Sequence, residues 1–166
     1  MQRFLIPLDG SALAEQALPY AKELASQLSG TLFLIRVVTI SRQLAAASMS
    51  GAGGLEGMST MDMDAIDQAI ELEAKEAQAY LTDKAQELEA EGLRVEWGVR
   101  QGVAADEIIE KAKQSNIDAI VITTHGRSGL GRLVFGSVSD RVIREAGVPV
   151  MVIKGPHRGS GSGGDS

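Results

Sequence analysis

The sequence predicts an α/β fold, in which a single domain forms an open, five-stranded parallel sheet with helices on both faces. Three observations support this prediction. Short runs rich in Val, Ile and Leu alternate with segments of helical periodicity, an order typical of βαβ units. Several runs are apolar at consecutive positions, as expected of strands buried on both faces. The 166 residues are 44% hydrophobic but only 4% aromatic, so one aliphatic core is expected.

The beginning of the chain has the pattern of a βαβ unit. Residues 4–8 are apolar and lead into an Asp-Gly turn pair, after which Ser11 is a predicted helix cap. Residues 13–28 have apolar positions at helical spacing, and we expect Pro19 to kink this helix. Residues 31–38 are apolar almost throughout and predict a second buried strand.

The alternation is interrupted at residues 39–63. This stretch contains runs of alanine and glycine and four methionines. Two interpretations remain open: a flexible low-complexity insertion, or a lid that closes over a ligand with methionines as adaptable contacts. Residues 64–91 then show the amphipathic pattern of a long helix.

The rest of the chain returns to alternating strands and helices. Residues 93–99 alternate apolar and polar side chains, which indicates a half-buried strand at or near a sheet edge. The remaining predicted elements are a helix at 104–114, a buried strand at 117–123, a helix starting at Ser137 as its cap, and a final strand at 150–153.

The final strand is predicted to lie at the other edge of the sheet. It is apolar, but Pro149 precedes it, and proline in sheets is confined to strand starts, edges or bulges. An apolar edge favours pairing with a second copy of the chain, so we expect a homodimer through residues 148–153. The domain is predicted to span 1–154, and the Gly/Ser-rich residues 155–166 to be a disordered tail.

Composition argues against several classes of protein. There are 22 acidic and 16 basic residues, a net charge of −6, and no block of Lys or Arg, so nucleic-acid binding is not expected. The absence of cysteine excludes disulfides and thiol catalysis. No apolar segment approaches membrane-spanning length and no signal segment is recognised, so we expect a cytoplasmic protein without membrane contact.

A glycine-rich loop follows the strand at 117–123. Gly126, Gly129, Gly131 and Gly136 lie between that strand and the next helix. Bare backbone and a helix N-terminus together can direct several N–H groups at a phosphate. The loop does not fit the P-loop or the dinucleotide-binding pattern, because the required lysine and the third glycine are absent. It predicts a different phosphate site, or only a tight connection.

The same stretch resembles the nucleotide-binding signature of the universal stress protein family. That signature is Gly, two residues, Gly, nine residues, Gly and Ser/Thr. Its second and third glycines fall on Gly126 and Gly136, its hydroxyl residue on Ser137, and its first glycine on Thr123, which is a departure. The resemblance covers most of residues 2–154 and implies a Rossmann-like fold of the adenine nucleotide alpha hydrolase type.

The resemblance also implies a set of nucleotide-binding residues. Phosphates would contact the glycine loop and the hydroxyls of Ser137 and Ser139, while Asp9 would face the ribose and Val37 the adenine. Asp9 could also hold Mg²⁺ through the phosphates. The full predicted set is Pro7, Asp9, Val37, Thr123, His125, Gly126, Arg127, Ser128, Gly129, Gly136, Ser137, Val138 and Ser139.

The function implied is that of an ATP-binding regulatory module in stress response. The sequence shows neither a P-loop lysine nor a second metal-binding carboxylate for fast phosphoryl transfer, so we expect slow ATP turnover at most and assign no catalytic residue. Two alternatives remain: a nucleotide-free dimeric interaction protein of the same fold, and a binder of another adenine nucleotide such as AMP or a signalling dinucleotide.

Overall fold

The computed structural model describes residues 2–39, 60–124 and 136–155. Five strands in these residues form one parallel sheet in the order β3-β2-β1-β4-β5. They are β1 (Arg3–Pro7), β2 (Thr31–Val38), β3 (Arg94–Gln101), β4 (Ala119–Thr124) and β5 (Val150–Lys154). The predicted open parallel sheet is confirmed, and so are the edge positions of β3 and β5.

The described residues contain five helices, which cover both faces of the sheet. They are α1 (Ala12–Glu15), α2 (Leu18–Gln27), α3 (Thr60–Ala90), α4 (Ala104–Gln114) and α5 (Ser137–Glu145). Helices α1, α2 and α3 pack on one face and α4 and α5 on the other. None of these helices is long and apolar enough to cross a membrane.

Each face of the sheet has its own aliphatic core, because successive side chains of a strand point to opposite sides. Phe4 and Ile6 of β1 belong to the core under α1, α2 and α3, together with Leu81 of α3. Leu5 lies between them in sequence and packs with Ile109 of α4 on the opposite face. The consecutive apolar positions of the strands therefore serve two cores, as the sequence predicted.

The first helical segment is divided, so the prediction of one kinked helix was wrong. Helix α1 ends at Glu15 and α2 begins at Leu18, with Pro19 in the first turn of α2. Proline is tolerated there because the first amides of a helix have no acceptor within it. Ser11 caps α1 as predicted, and its hydroxyl accepts a hydrogen bond from the Ala14 amide at 3.1 Å.

Two predicted boundaries also shift. Helix α3 begins at Thr60, so residues 60–63 belong to this helix and not to the predicted insertion at 39–63. The flexible and lid interpretations now concern residues 40–59, which lie outside the described residues. Gly155, assigned to the tail, is buried, and its amide donates to the Thr124 carbonyl at 3.0 Å. The rest of the predicted tail, 156–166, is outside the described residues.

The central strands β1 and β4 are paired only near their beginnings. Their register matches Phe4 with Ala119 and Leu5 with Ile120, whereas β1 matches β2 along all five of its residues. Strand order also reverses here, because the chain passes from β1 to β2 on one side and from β4 to β5 on the other. Open α/β sheets bind ligands at the carboxyl ends of strands beside such a reversal.

Candidate functional site

A cavity of about 430 Å³ lies at the carboxyl ends of β1, β2 and β4. Its size is in the range of small-molecule sites, roughly 300–1,000 Å³. The fold brings eight of the predicted site residues to this cavity: Pro7, Asp9, Val37, Thr123, Gly136, Ser137, Val138 and Ser139. The other five, His125, Gly126, Arg127, Ser128 and Gly129, lie outside the described residues.

The start of α5 forms one side of the cavity. Gly136 is the N-cap, with φ −59° and ψ 154°, and Ser137 is the first helical residue, so the prediction that Ser137 is the cap was wrong. The first helical hydrogen bond runs from the Asp140 amide to the Gly136 carbonyl at 2.9 Å. The amides of Ser137, Val138 and Ser139 precede that bond and have no acceptor within the helix. They give this end of the cavity a positive potential.

The two serine hydroxyls at the start of α5 differ in their surroundings. Ser139 is buried, and its hydroxyl donates to the Gly136 carbonyl at 3.0 Å. The Ser139 hydroxyl proton therefore already takes part in a hydrogen bond at the start of the helix. This differs from the prediction that the hydroxyl donates to phosphate. The exposed Ser137 hydroxyl makes no side-chain hydrogen bond to any residue that the structure describes.

Asp9, which follows β1, also lines the cavity. Its Oδ1 accepts a hydrogen bond from the Ser11 amide at 2.9 Å, which orients the carboxylate in a tight turn. Gly10 completes that turn at φ +84°, a conformation that other residues rarely adopt. The Asp-Gly pair therefore places a solvent-exposed carboxylate at the mouth of the cavity.

Arg36, which sequence reasoning missed, also lines the cavity. Its guanidinium carbon lies 5.3 Å from the centre of the Tyr80 ring, and a β-carbon added to Gly10 would lie 3.3 Å from its Nη1. It has no carboxylate within ion-pair distance in the described part of the chain. The signal that could have found it is an arginine near the carboxyl end of an otherwise apolar strand.

Tyr80 is itself held by a second contact. Its hydroxyl donates to Glu15 at 2.8 Å, and Glu15 also pairs with Lys84 at 3.3 Å. Burial, followed by the hydrogen bond to Glu15, raises the pKa of Tyr80 above its ordinary value. The ring that supports Arg36 is therefore neutral at physiological pH and fixed to both α1 and α3.

One wall of the cavity, on the side of the sheet that α4 covers, is apolar. It is formed by side chains from β2, β4 and the beginning of α4: Ile35, Val37, Ala104, Ile108 and Ile122. Sequence reasoning recognised only Val37 among them, because the others have the ordinary pattern of core residues. The cavity thus combines an apolar wall, a carboxylate, an arginine and a helix N-terminus, which suits a ligand with a flat apolar part and an anionic part.

Thr123, where the sequence departs from the glycine signature, lies at the cavity near the end of β4 and is half-buried. Among the described residues other than glycine, only Ser29 and Asn116 have positive φ. The backbone at Thr123 therefore needs no glycine to avoid strain. Compared with glycine, the threonine side chain takes up space next to the backbone at this point of the cavity.

Comparison with known proteins gives consistent results along the chain. A family model described as "Universal stress protein family" matches residues 1–154. Universal stress protein MJ0531 from Methanocaldococcus jannaschii is 31% identical over 157 residues, which are 95% of this chain and 84% of that protein.

Solved structures share the fold. Protein MJ0577, also from M. jannaschii, has a TM-score of 0.75 at 23% identity, with 94% of this chain and 97% of that chain covered. The universal stress protein from Archaeoglobus fulgidus in complex with dAMP has a TM-score of 0.61 at 22% identity, with 93% and 98% covered. At these identities the likeness to solved structures concerns the fold.

Proposed function

Because the chain belongs to the universal stress protein family, we propose that its cavity binds an adenine nucleotide, and specifically ATP. In this proposal the protein is a regulatory module of the stress response that changes its affinity for a partner when the nucleotide is bound. The observation that carries the proposal is the convergence of Asp9, an apolar wall and three helix-start amides on one cavity.

Each part of a nucleotide has a complementary part in the proposed site. The phosphates would accept hydrogen bonds from the amides of residues 137–139, and from the glycine loop at 126–129 that the family signature implies. The ribose hydroxyls would donate to Asp9. The adenine would lie against the apolar wall, with the backbone of Val37 reading its edge.

The choice of an adenine nucleotide is supported by a relative, and the choice of ATP by charge. The A. fulgidus universal stress protein was solved with dAMP, an adenine nucleotide with one phosphate. Here Arg36 adds a cation without a described carboxylate partner to the helix N-terminus at the cavity. Two positive features favour a ligand with more negative charge than a monophosphate, because charge-assisted contacts are stronger than neutral ones.

A metal ion would depend on the nucleotide. The described residues contain no group of three or more His, Asp or Glu side chains suited to hold one, so we propose that Mg²⁺ binds through the phosphates, with Asp9 as its protein ligand. We propose slow hydrolysis at most. The assembly we propose is a homodimer through β5, in which Met151 is 38% exposed.

The test is to identify the nucleotide retained after purification and then to titrate the stripped protein with ATP, AMP and GTP by calorimetry. ATP at a hundredfold excess over Kd should raise the unfolding free energy by about 2.7 kcal/mol. Tighter binding of AMP than of ATP would favour a monophosphate sensor. No stabilisation by any adenine nucleotide would refute the proposal and leave the nucleotide-free interaction protein.

A further inference from the structure

The edge strand β3 exposes much of its surface. It pairs with β2 along all eight of its residues, from Arg94 beside Thr31 to Gln101 beside Val38. No strand in the described part of the chain pairs with its other side. None of its eight side chains is fully buried. The backbone N–H and C=O groups along the side of β3 that no described strand pairs with can pair with another extended chain.

One face of this edge carries a concentration of positive charge, which we call the cationic face. It consists of Arg100 of β3 with Lys111 of α4. Arg100 lies on the same face as Gly98, two positions earlier in the strand, and Gly98 faces Phe33. The Nζ of Lys111 lies 3.9 Å from the centre of the Phe33 ring, and Phe33 is on this side of the sheet.

Glu96 lies on the same face of β3 as Arg100 and is paired with Arg3 at 2.5 Å. Burial first, and then the neighbouring charges of Arg100 and Arg3, lower the pKa of Lys111. A group of neighbouring cations in a chain with a net charge of −6 makes this face locally favourable for anions.

The opposite face of β3 is apolar. Val95 and Val99 pack against the core beneath α3, and between them Trp97 remains 38% exposed. Gly98, whose added β-carbon would lie 3.6 Å from Phe33, has no side chain between Glu96 and Arg100 on the cationic side.

We propose that the outer edge of β3 binds an extended acidic segment of a partner protein by strand addition. The added strand becomes the sixth of the sheet through main-chain hydrogen bonds. Its alternate side chains follow the two faces: acidic residues beside Arg100 and Lys111, and apolar residues beside Trp97. The partner is therefore recognised by a period-two pattern of acidic and apolar residues.

Charged side chains on an edge strand commonly prevent unwanted pairing. The sign of the charges decides whether they only protect the edge or also select a partner. A second copy of this edge would bring further cations toward Arg100 and Lys111, which is unfavourable, whereas an acidic strand would bring opposite charges. The charge of this face therefore favours an acidic partner over self-association.

The peptide test uses the full chain and a synthetic peptide of alternating Glu and Val, with Trp97, the only tryptophan, as the fluorescent reporter. The alternating peptide should shift the Trp97 emission saturably. A Lys/Val peptide and a peptide with the same Glu and Val residues in two blocks should not. With N-methyl groups on every second residue, made in both phases, one phase should bind and the other should fail, because only alternate amides face β3.

The variant test is Arg100→Glu, with Lys154→Glu at the end of the opposite edge strand as the matched control. Arg100→Glu should weaken peptide binding roughly tenfold, and Lys154→Glu should leave it unchanged.

Equal weakening by both variants, or equal binding of both N-methylated phases, would overturn the proposal. Equally strong binding of single-stranded RNA at the same edge would replace strand addition by general anion attraction, and no binding of the peptide would leave the cations as edge protection only.

Discussion

Gly136→Asp distinguishes the effect on the proposed ligand from the effect on the fold, because the substitution should weaken binding without loss of stability. Gly136 is exposed with φ −59°, and among the described residues a β-carbon added there would meet only the Ser139 Oγ, at 3.7 Å. Aspartate is a preferred N-cap residue and is favoured by the helix dipole. From the described surroundings of Gly136 we therefore expect the unliganded variant to be as stable as the wild type, or more stable by about a few tenths of a kcal/mol.

The same carboxylate would lie beside the proposed phosphates. Two unit charges about 5 Å apart repel by about 3 kcal/mol at an effective dielectric constant of 20. Exposure at Gly136 reduces this to roughly half, so ATP should bind about tenfold to a hundredfold more weakly. Calorimetric titration measures the affinity, and thermal melting without ligand measures the stability.

Gly136→Asn is the matched control, because asparagine has nearly the same shape, is also a good N-cap residue and carries no charge. It should retain most of the wild-type affinity. If both variants bind ATP equally weakly, crowding and not charge at the start of α5 is responsible. If the aspartate variant binds ATP as the wild type does, phosphates do not lie at this helix end.

Three further predictions follow from other contacts. Arg36→Gln should lower ATP affinity about tenfold and reduce the dependence of that affinity on salt, since Arg36 contributes the only cationic side chain that we place at the described cavity. If the variant and the wild type bind ATP equally well throughout a salt titration, Arg36 does not have this role. Leu81→Ala should reduce the unfolding free energy in urea by about 3 kcal/mol, because Leu81 is fully buried between α3 and the sheet; a loss below about 1 kcal/mol would show that the core closes over the gap. The raised pKa of Tyr80 favours its neutral form in the folded state, so its contribution to stability is complete below the unfolded-state value of about 10 and is lost as pH rises above it. Tyr80→Phe should therefore show a smaller loss of stability above pH 10 than the wild type in urea unfolding, and identical pH profiles would count against the raised pKa.

Much of the fold could be predicted because each strand carries its own pattern. Residues 31–38 are apolar almost throughout and form β2 within the sheet, whereas residues 93–99 alternate and form β3 at an edge. Pro19 was misjudged because apolar spacing continues through both α1 and α2. Spacing alone does not show that the hydrogen bonding stops between Glu15 and Leu18.

The sequence predicted those cavity-lining residues that belong to a local motif. Asp9 and Ser137 stand at strand and helix ends beside glycines, which local sequence can reveal. Arg36 and Ile108 reach the cavity only because β1, β2 and α4 come together in the fold. The cap was assigned one residue late, because glycine and serine are both acceptable N-caps and the sequence contains both in succession.

The short register between β1 and β4 divides the sheet into two parts that share few main-chain bonds. One part runs from β1 through β3 and the other from β4 to β5, joined at Phe4 and Leu5 opposite Ala119 and Ile120. The cavity lies beyond these paired residues, with Pro7 of β1 on one side and Thr123 of β4 on the other. A molecule bound in this cavity would contact both parts of the sheet and so connect them beyond the short β1–β4 register.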